Sequence, residues 1–200
     1  MEPRNPGQPA PTQVWLTRAR DGDEACFAQL YEHIAPSLFT WAQLRIRPEQ
    51  RHQLDPADLV QEVWLRAWSQ ADALPMEAPH FRFWVFRIAK NVLLEGLRRG
   101  QYQQGIGGPS TRLEQAQAMP DLGTAVSQRL ARDESLTLFR EQVESLPEDE
   151  RRLVLHCGLE GLPLAQVAER LGLSVDAVGK RWQRLRARLK TGDLPQYLLV

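Results

Sequence analysis

The sequence predicts an all-α chain made of two small helical domains joined by a flexible linker. Three observations predict it. Apolar residues recur at three- and four-residue steps from about residue 14 to 99 and again from about 126 to 190. No stretch of useful length alternates apolar and polar residues as a half-buried strand would. Between the two periodic regions, residues 100–112 hold four glycines and one proline in thirteen positions, a linker's composition rather than that of an element interior. The expected organisation is a disordered arm over 1–11, a first domain over 12–99, a linker over 100–124, a second domain over 125–190 and a short tail over 191–200.

The arm is inferred from Pro3, Pro6, Pro9 and Pro11. From Val14 to Arg47 the pattern is helical: Val14, Trp15 and Ala19 open it, Asp21-Gly22-Asp23 punctuates it, and Phe27, Leu30, Tyr31, Ile34, Leu38, Trp41 and Leu44 continue it, with Pro36 a candidate kink. Asp55 and Pro56 start the next helix, because a carboxylate satisfies free amides of the first turn and proline has no amide to lose there. Val60, Val63, Trp64 and Ala67 then fall at i, i+3, i+4 and i+7, opposite Asp58, Gln61, Glu62 and Arg66. Residues 70–80 read as a two-proline loop. In the helix after it, 81–99, Phe81, Trp84, Val85, Ile88 and Val92 make a core face ringed by Arg82, Arg87, Lys90, Asn91, Arg98 and Arg99. Phe83 and Phe86 lie off that stripe. Aromatics among arginines suit stacking on unpaired bases, and a wide apolar face would give the same pattern; composition does not choose between them.

Past the linker, a helix over about 126–143 leads to a helix opened by Pro147. The last two helices are the most informative part of the chain. Leu164, Val167, Ala168 and Leu171 recur at helical spacing after Pro163 and stop at Gly172. Ser174 can cap the next helix, along which Val175, Val178, Trp182, Leu185 and Leu189 form a stripe. A connection of only Gly172-Leu173-Ser174 is the geometry of a helix-turn-helix, which projects its second helix into a major groove. On a wheel of 3.6 residues per turn, Lys180 lies almost opposite the stripe, flanked by Asp176, Ala177, Gln183 and Arg184. Arg181, Arg186, Arg188 and Lys190 lie nearer the edges, within reach of phosphates. A solvated charged face would carry the same basic residues; the tight turn favours DNA.

With 25 Lys and Arg against 25 Asp and Glu, binding to DNA must come from local segregation of charge rather than a global field. The segregation is present. Residues 163–190 hold seven basic against two acidic residues, 80–99 five against one, and 101–150 four against nine. A hydrophobic fraction of 42% and a charged fraction of 25% are ordinary for a globular chain. No apolar run exceeds four residues, so the expectation is a cytoplasmic protein with neither a signal peptide nor a membrane span. Cys26 and Cys157 have no CxxC partner and are expected to be buried free thiols. His33, His52, His80 and His156 lack ligand spacing, so no metal and no cofactor is expected. Without a phosphate loop, a GxSxG or an ordered ligand set, an enzyme is not expected either.

Asp55-Pro56-Ala57-Asp58 through Trp68, Phe81 through Asn91, then Leu146-Pro147-Glu148 and the basic helix-turn-helix, in that order, resemble bacterial sigma factors of the sigma-70 family, extracytoplasmic-function type, over roughly residues 12–190. The resemblance implies that the first domain is sigma region 2 and the second sigma region 4. It further implies that Asp58, Gln61 and Glu62 dock on core RNA polymerase and that the 70–80 loop and 81–99 helix hold the melted minus-10 strand, through Arg82, Phe83, Arg87, Lys90 and Asn91. The last helix would read the minus-35 duplex, through Ser174, Asp176, Ala177, Lys180, Arg181, Arg184 and Arg188. Core polymerase and promoter DNA are the implied partners, with an anti-sigma factor as a further candidate. The chain departs from the family pattern at Gly179, where a basic residue is common, at Lys180, where a small one is common, and at Glu95, where Asp is frequent. Alternatives from other classes are a dimeric helix-turn-helix regulator acting without core polymerase, which leaves the 55–99 motifs unexplained, and a sigma-like protein that binds polymerase without recognising promoters.

Overall fold

The computed structural model describes residues 11–103 and 122–190. The expected arm, except for Pro11, the middle of the linker and the 191–200 tail lie outside the described residues. Within them every regular element is helical, as the periodicity predicts. The first break falls where the sequence places it. Helix α1 (Pro11–Arg20) ends before Gly22, whose φ of +88° is a left-handed conformation that costs glycine little. Asp23 then caps α2 (Glu24–Arg45) by accepting from the Cys26 amide at 2.9 Å. Helix α2 continues through Pro36, and the Thr40 hydroxyl donates to the Pro36 carbonyl at 3.0 Å.

Helix α3 (Pro56–Ser69) starts as expected, with the Asp55 carboxylate accepting from the Ala57 amide at 2.7 Å. Val60, Val63, Trp64 and Ala67 are all buried. Trp64 is the keystone of the first module: Phe27 lies against it with 4.3 Å between ring centroids, and Tyr31 stacks on it at 4.4 Å. Such pairs add about 0.5–1.5 kcal/mol each beyond the area they bury. Helix α4 (Ala78–Gln103) is longer at both ends than the expected 81–99, so the 70–80 loop is shorter than the sequence suggests, with one 3₁₀ turn at Ala71–Ala73 inside it. Phe86 resolves the ambiguity left by composition. It is buried, edge-on to Trp41 at 5.7 Å, and belongs to the core rather than to a stacking surface, whereas Phe83 stays half-buried.

The expected helix over 126–143 is two helices, α5 (Leu122–Ala131) and α6 (Glu134–Glu144). Asp133 divides them, because its carboxylate accepts from the Ser135 amide at 2.9 Å and so caps a new helix rather than continuing the old one. Both pack on α2, and α5 also packs on α3. As a result the buried apolar side chains form one contiguous cluster from Leu16 to Leu189, shared by the two modules. Cys26 and Cys157 are both buried and free, and burial pushes the Cys157 thiol up to about 11.

Helix α7 (Glu148–Leu153) runs straight into a π-helical turn at Val154–Leu159, and α8 (Leu164–Leu171) and α9 (Val175–Lys190) complete the chain. The helix-turn-helix is built as predicted: Gly172 has φ +65°, Ser174 Oγ accepts from the Ala177 amide at 3.2 Å, and Val178 is fully buried in the angle between the helices. Two stripe residues depart from expectation. Leu164 is 36% and Val175 49% exposed, because each lies in the first turn of its helix, beyond the edge of the shared core.

The two glycines of this motif have opposite demands. Gly179 lies within an ordinary helix, and a Cβ there would sit 3.5 Å from Leu164 Cδ1, a normal contact. Gly179→Ala is expected to stabilise the protein by about 1 kcal/mol through helix propensity. Gly172→Ala should destabilise it by about 1–2 kcal/mol, since the left-handed turn is retained at a steric cost. Urea midpoints moving in the same direction for both variants would contradict this account.

Candidate nucleic-acid interface

Helix α9 carries Lys180, Arg181, Arg184 and Arg188 on the side away from the core. Ser174, Asp176, Lys180, Arg181, Gln183, Arg184 and Arg188 are exposed, while Ala177 and Arg186 are half-buried. All seven residues expected to meet duplex DNA thus lie in the turn or along one open face of this helix. Lys180 Nζ pairs with Asp176 at 2.9 Å, and Arg188 pairs with Glu150 of α7. A cleft between α7 and α9 brings Asp149 and Glu150 opposite Arg181, Arg184 and Arg188. These ion pairs are open to solvent and worth about 0–1 kcal/mol each, so a phosphate can replace either carboxylate at little cost.

On α4 the expected strand-binding residues divide into two groups. Arg87 and Asn91 are exposed one helical turn apart. Arg82 and Lys90 instead face the second module. Arg82 Nε donates to the Leu159 carbonyl at 2.6 Å, and its guanidinium lies 5.7 Å from the Phe86 ring centroid. Burial lowers its pKa to about 10, so it remains a cation at neutral pH. Lys90 Nζ donates to Glu160 Oε2 at 2.7 Å.

Glu160 is the residue that sequence reasoning missed. It is 0% exposed, and its carboxylate holds the modules together. Trp41 Nε1 donates to Oε1 at 2.8 Å and Arg45 at 3.2 Å; on Oε2, Lys90 is joined by His156 Nδ1 at 3.1 Å. Burial by itself would raise the pKa of this carboxyl, but the hydrogen bonds from His156, Lys90 and Trp41, with the Lys90 charge, prevail and bring it down to about 2. The π turn aims it: the Glu160 amide donates to Leu155 at 2.9 Å, across five residues instead of four. A His and a Glu four residues apart in the otherwise largely apolar segment 153–162 were the available signal.

Of the residues expected to dock on polymerase, Asp58 is exposed, and Gln61 and Glu62 are half-buried on α3. Glu62 accepts from Arg66 Nε at 2.8 Å. Arg66 in turn makes two bonds to Glu95 of α4, at 3.1 and 2.7 Å. The hydrogen bond from Arg66 holds the Glu95 carboxyl below the usual range. Glu95, noted in the sequence as a departure, therefore anchors α4 to α3.

A helix-turn-helix with an open cationic face is joined here to a helical module whose α3 presents a polar face, the make-up of a DNA-binding protein. The ECF sigma factor model matches residues 11–193, and the chain belongs to that family, the RNA polymerase sigma factors that act in transcription initiation. It is 26% identical over 166 residues to the ECF RNA polymerase sigma factor SigL of Mycobacterium tuberculosis, covering 83% of this chain and 88% of SigL. It is also 27% identical over 179 residues to the RNA polymerase sigma factor CnrH of Cupriavidus metallidurans, covering 88% and 91%. The solved structure of CnrH in complex with the cytosolic domain of CnrY aligns at a TM-score of 0.46 and 25% identity over 91% of this chain and 96% of that one. Among the described residues no helix is long and apolar enough to cross a membrane.

The Glu160 network has a definite pH signature. A carboxyl whose pKa is 4.5 when unfolded and about 2 when folded contributes stability that is whole above about pH 4.5 and is lost as the pH falls through 2. Denaturant titrations at pH 5, 4, 3 and 2.5 should show wild type losing stability more steeply than Glu160→Gln. Parallel pH profiles would mean the carboxyl is not held ionised by its neighbours.

Proposed function

We propose that this sigma factor recognises both promoter elements itself, region 2 (residues 12–99) holding the minus-10 strand and region 4 (residues 125–190) reading the minus-35 duplex. The observation that carries the reading is the open face of α9. Lys180, Arg184, Asp176 and Ala177 lie along it where base edges would be met, with Arg181 and Arg188 beside them for phosphates. In a chain with no net charge, this local clustering supplies the attraction. On α4, exposed Arg87 and Asn91, with half-buried Phe83 nearby in sequence, offer donors and an apolar ring to an unpaired strand. Extruding a base from the duplex costs a few kcal/mol, which such contacts offset.

Core polymerase is assigned to the α3 surface of Asp58, Gln61 and Glu62. It joins both modules to one DNA, so that the second contact forms at high effective concentration once the first is made. The chain between α4 and α5, shorter than the expected 100–124 linker because both helices run into it, would set that span. Polymerase and chromosome place the activity in the cytoplasm. An anti-sigma partner is part of the same proposal for this chain.

Two experiments test the assignments. Lys180→Ala should change which duplexes are preferred, by about 1–3 kcal/mol at the affected position, whereas Arg188→Ala should weaken all duplexes alike and flatten the salt dependence. Selection from a random duplex library with polymerase present reads both; equal losses on every sequence would mean α9 only positions the protein. For docking, the double variant Gln61→Ala, Glu62→Lys should weaken core polymerase binding at least tenfold with the helical circular dichroism unchanged. Wild-type affinity in a pull-down would move the docking surface elsewhere.

A further inference from the structure

Three of the four groups that hold Glu160 belong to the other module. Trp41 and Arg45 come from α2 and Lys90 from α4, while His156 lies on the same segment as the carboxylate. Seen from region 2 alone, these side chains are a cationic pocket: an indole N–H, a guanidinium and an ammonium converge on the volume of one small anion. The pocket has donors and charge to spare. Arg45 Nε is buried without a hydrogen-bond partner, and two full positive charges face the single negative charge of Glu160. A phosphodiester has the same charge as a carboxylate and presents its oxygens tetrahedrally, so it can take up a donor that a planar carboxylate leaves over. The pocket also lies in the right place. Lys90 precedes Asn91 and follows Arg87 by three residues, so the pocket borders the exposed face of α4.

We propose that Trp41, Arg45 and Lys90 form a phosphodiester site for single-stranded promoter DNA, which Glu160 occupies in the free protein as an internal competitor. The proposal rests on the promoter reading above and adds to it a site and a control. In the free chain, Glu160 and the Leu159 carbonyl hold two of the cations that α4 would offer to the strand, Lys90 and Arg82. The strand gains them only when the π-turn segment leaves, which also frees region 4 to find its own element.

The test uses the full chain and a labelled random-sequence single-stranded 20-mer, followed by fluorescence anisotropy at two salt concentrations, with small-angle scattering of the free proteins. Glu160→Gln, which keeps the shape and removes the charge, should enlarge the particle and tighten DNA binding about tenfold, the factor by which a mostly closed population would mask the site. Adding Arg45→Ala to it should abolish the gain and reduce the salt slope by about 0.7, one phosphate contact. Modules apart with unchanged affinity, a gain that survives Arg45→Ala, or an unchanged particle size would each overturn the proposal. Preference for an acidic peptide over the DNA would overturn it too. A measurement on the wild type keeps the question open to refutation should the variants fold poorly: saturating DNA should speed amide exchange over 154–162, and unaltered protection there with DNA bound would rule the competition out. Failure of the promoter reading itself looks different. Wild type with core polymerase would then start no promoter-specific transcript, whatever occupies the pocket.

Discussion

A carboxylate with no solvent contact holds the two modules of this protein in register. Taking an ion out of water costs several kcal/mol even after relaxation, so a buried Glu160 is tolerable only because four donors meet it from three directions. That requirement works in reverse as well. Because the donors sit on α2, on α4 and on the carboxylate's own segment, their joint geometry fixes where the second module lies. An apolar contact of the same size would tolerate sliding; this one has a single position in which all its bonds are made.

Helix α2 makes the arrangement possible. It packs against α1, α3, α4, α5, α6 and the π turn, and its second half, from Ile34 to Ala42, is almost wholly buried, while Glu24, Ala25, Gln29, Glu32 and His33 of its first half face solvent. Its sequence meets several neighbours with a suited group: Phe27 and Tyr31 for Trp64 of α3, Trp41 and Arg45 for the carboxylate beyond. The nearly continuous apolar pattern from residue 34 to 42 is the record of a helix end enclosed by others rather than of one lying on a surface.

Much of this was legible in the amino-acid order, for reasons that differ by element. The cap at Asp55, the breaks at Asp21-Gly22-Asp23 and at Gly172 and the stripe of α3 act through residues close in sequence, and these were read correctly. The division at Asp133 was lost because its apolar neighbours carry a single period across the break, and the local bond of the aspartate decided the matter. Phe86 could not be assigned until Trp41 was beside it. The positions of Arg82 and Lys90 were further out of reach, since they depend on a partner 70 or more residues away that the helical wheel of α4 cannot contain. The outer side of α9 was legible because its residues follow one another at helical steps within a single short segment.

The π turn at Val154–Leu159 gives this architecture an unusual adjustable element. Such a turn holds one residue more than an α-helical turn over nearly the same rise, and its removal would rotate everything downstream by about 100°. The helix-turn-helix could then keep every internal contact while pointing its cationic face in a new direction, and Glu160 would be carried away from its pocket by the same rotation. Orientation of α9 is thus separable from its chemistry: chain length at one turn governs the first, and the side chains of α9 the second. Insertions and deletions of single residues at 154–159 are, for this fold, changes of aim.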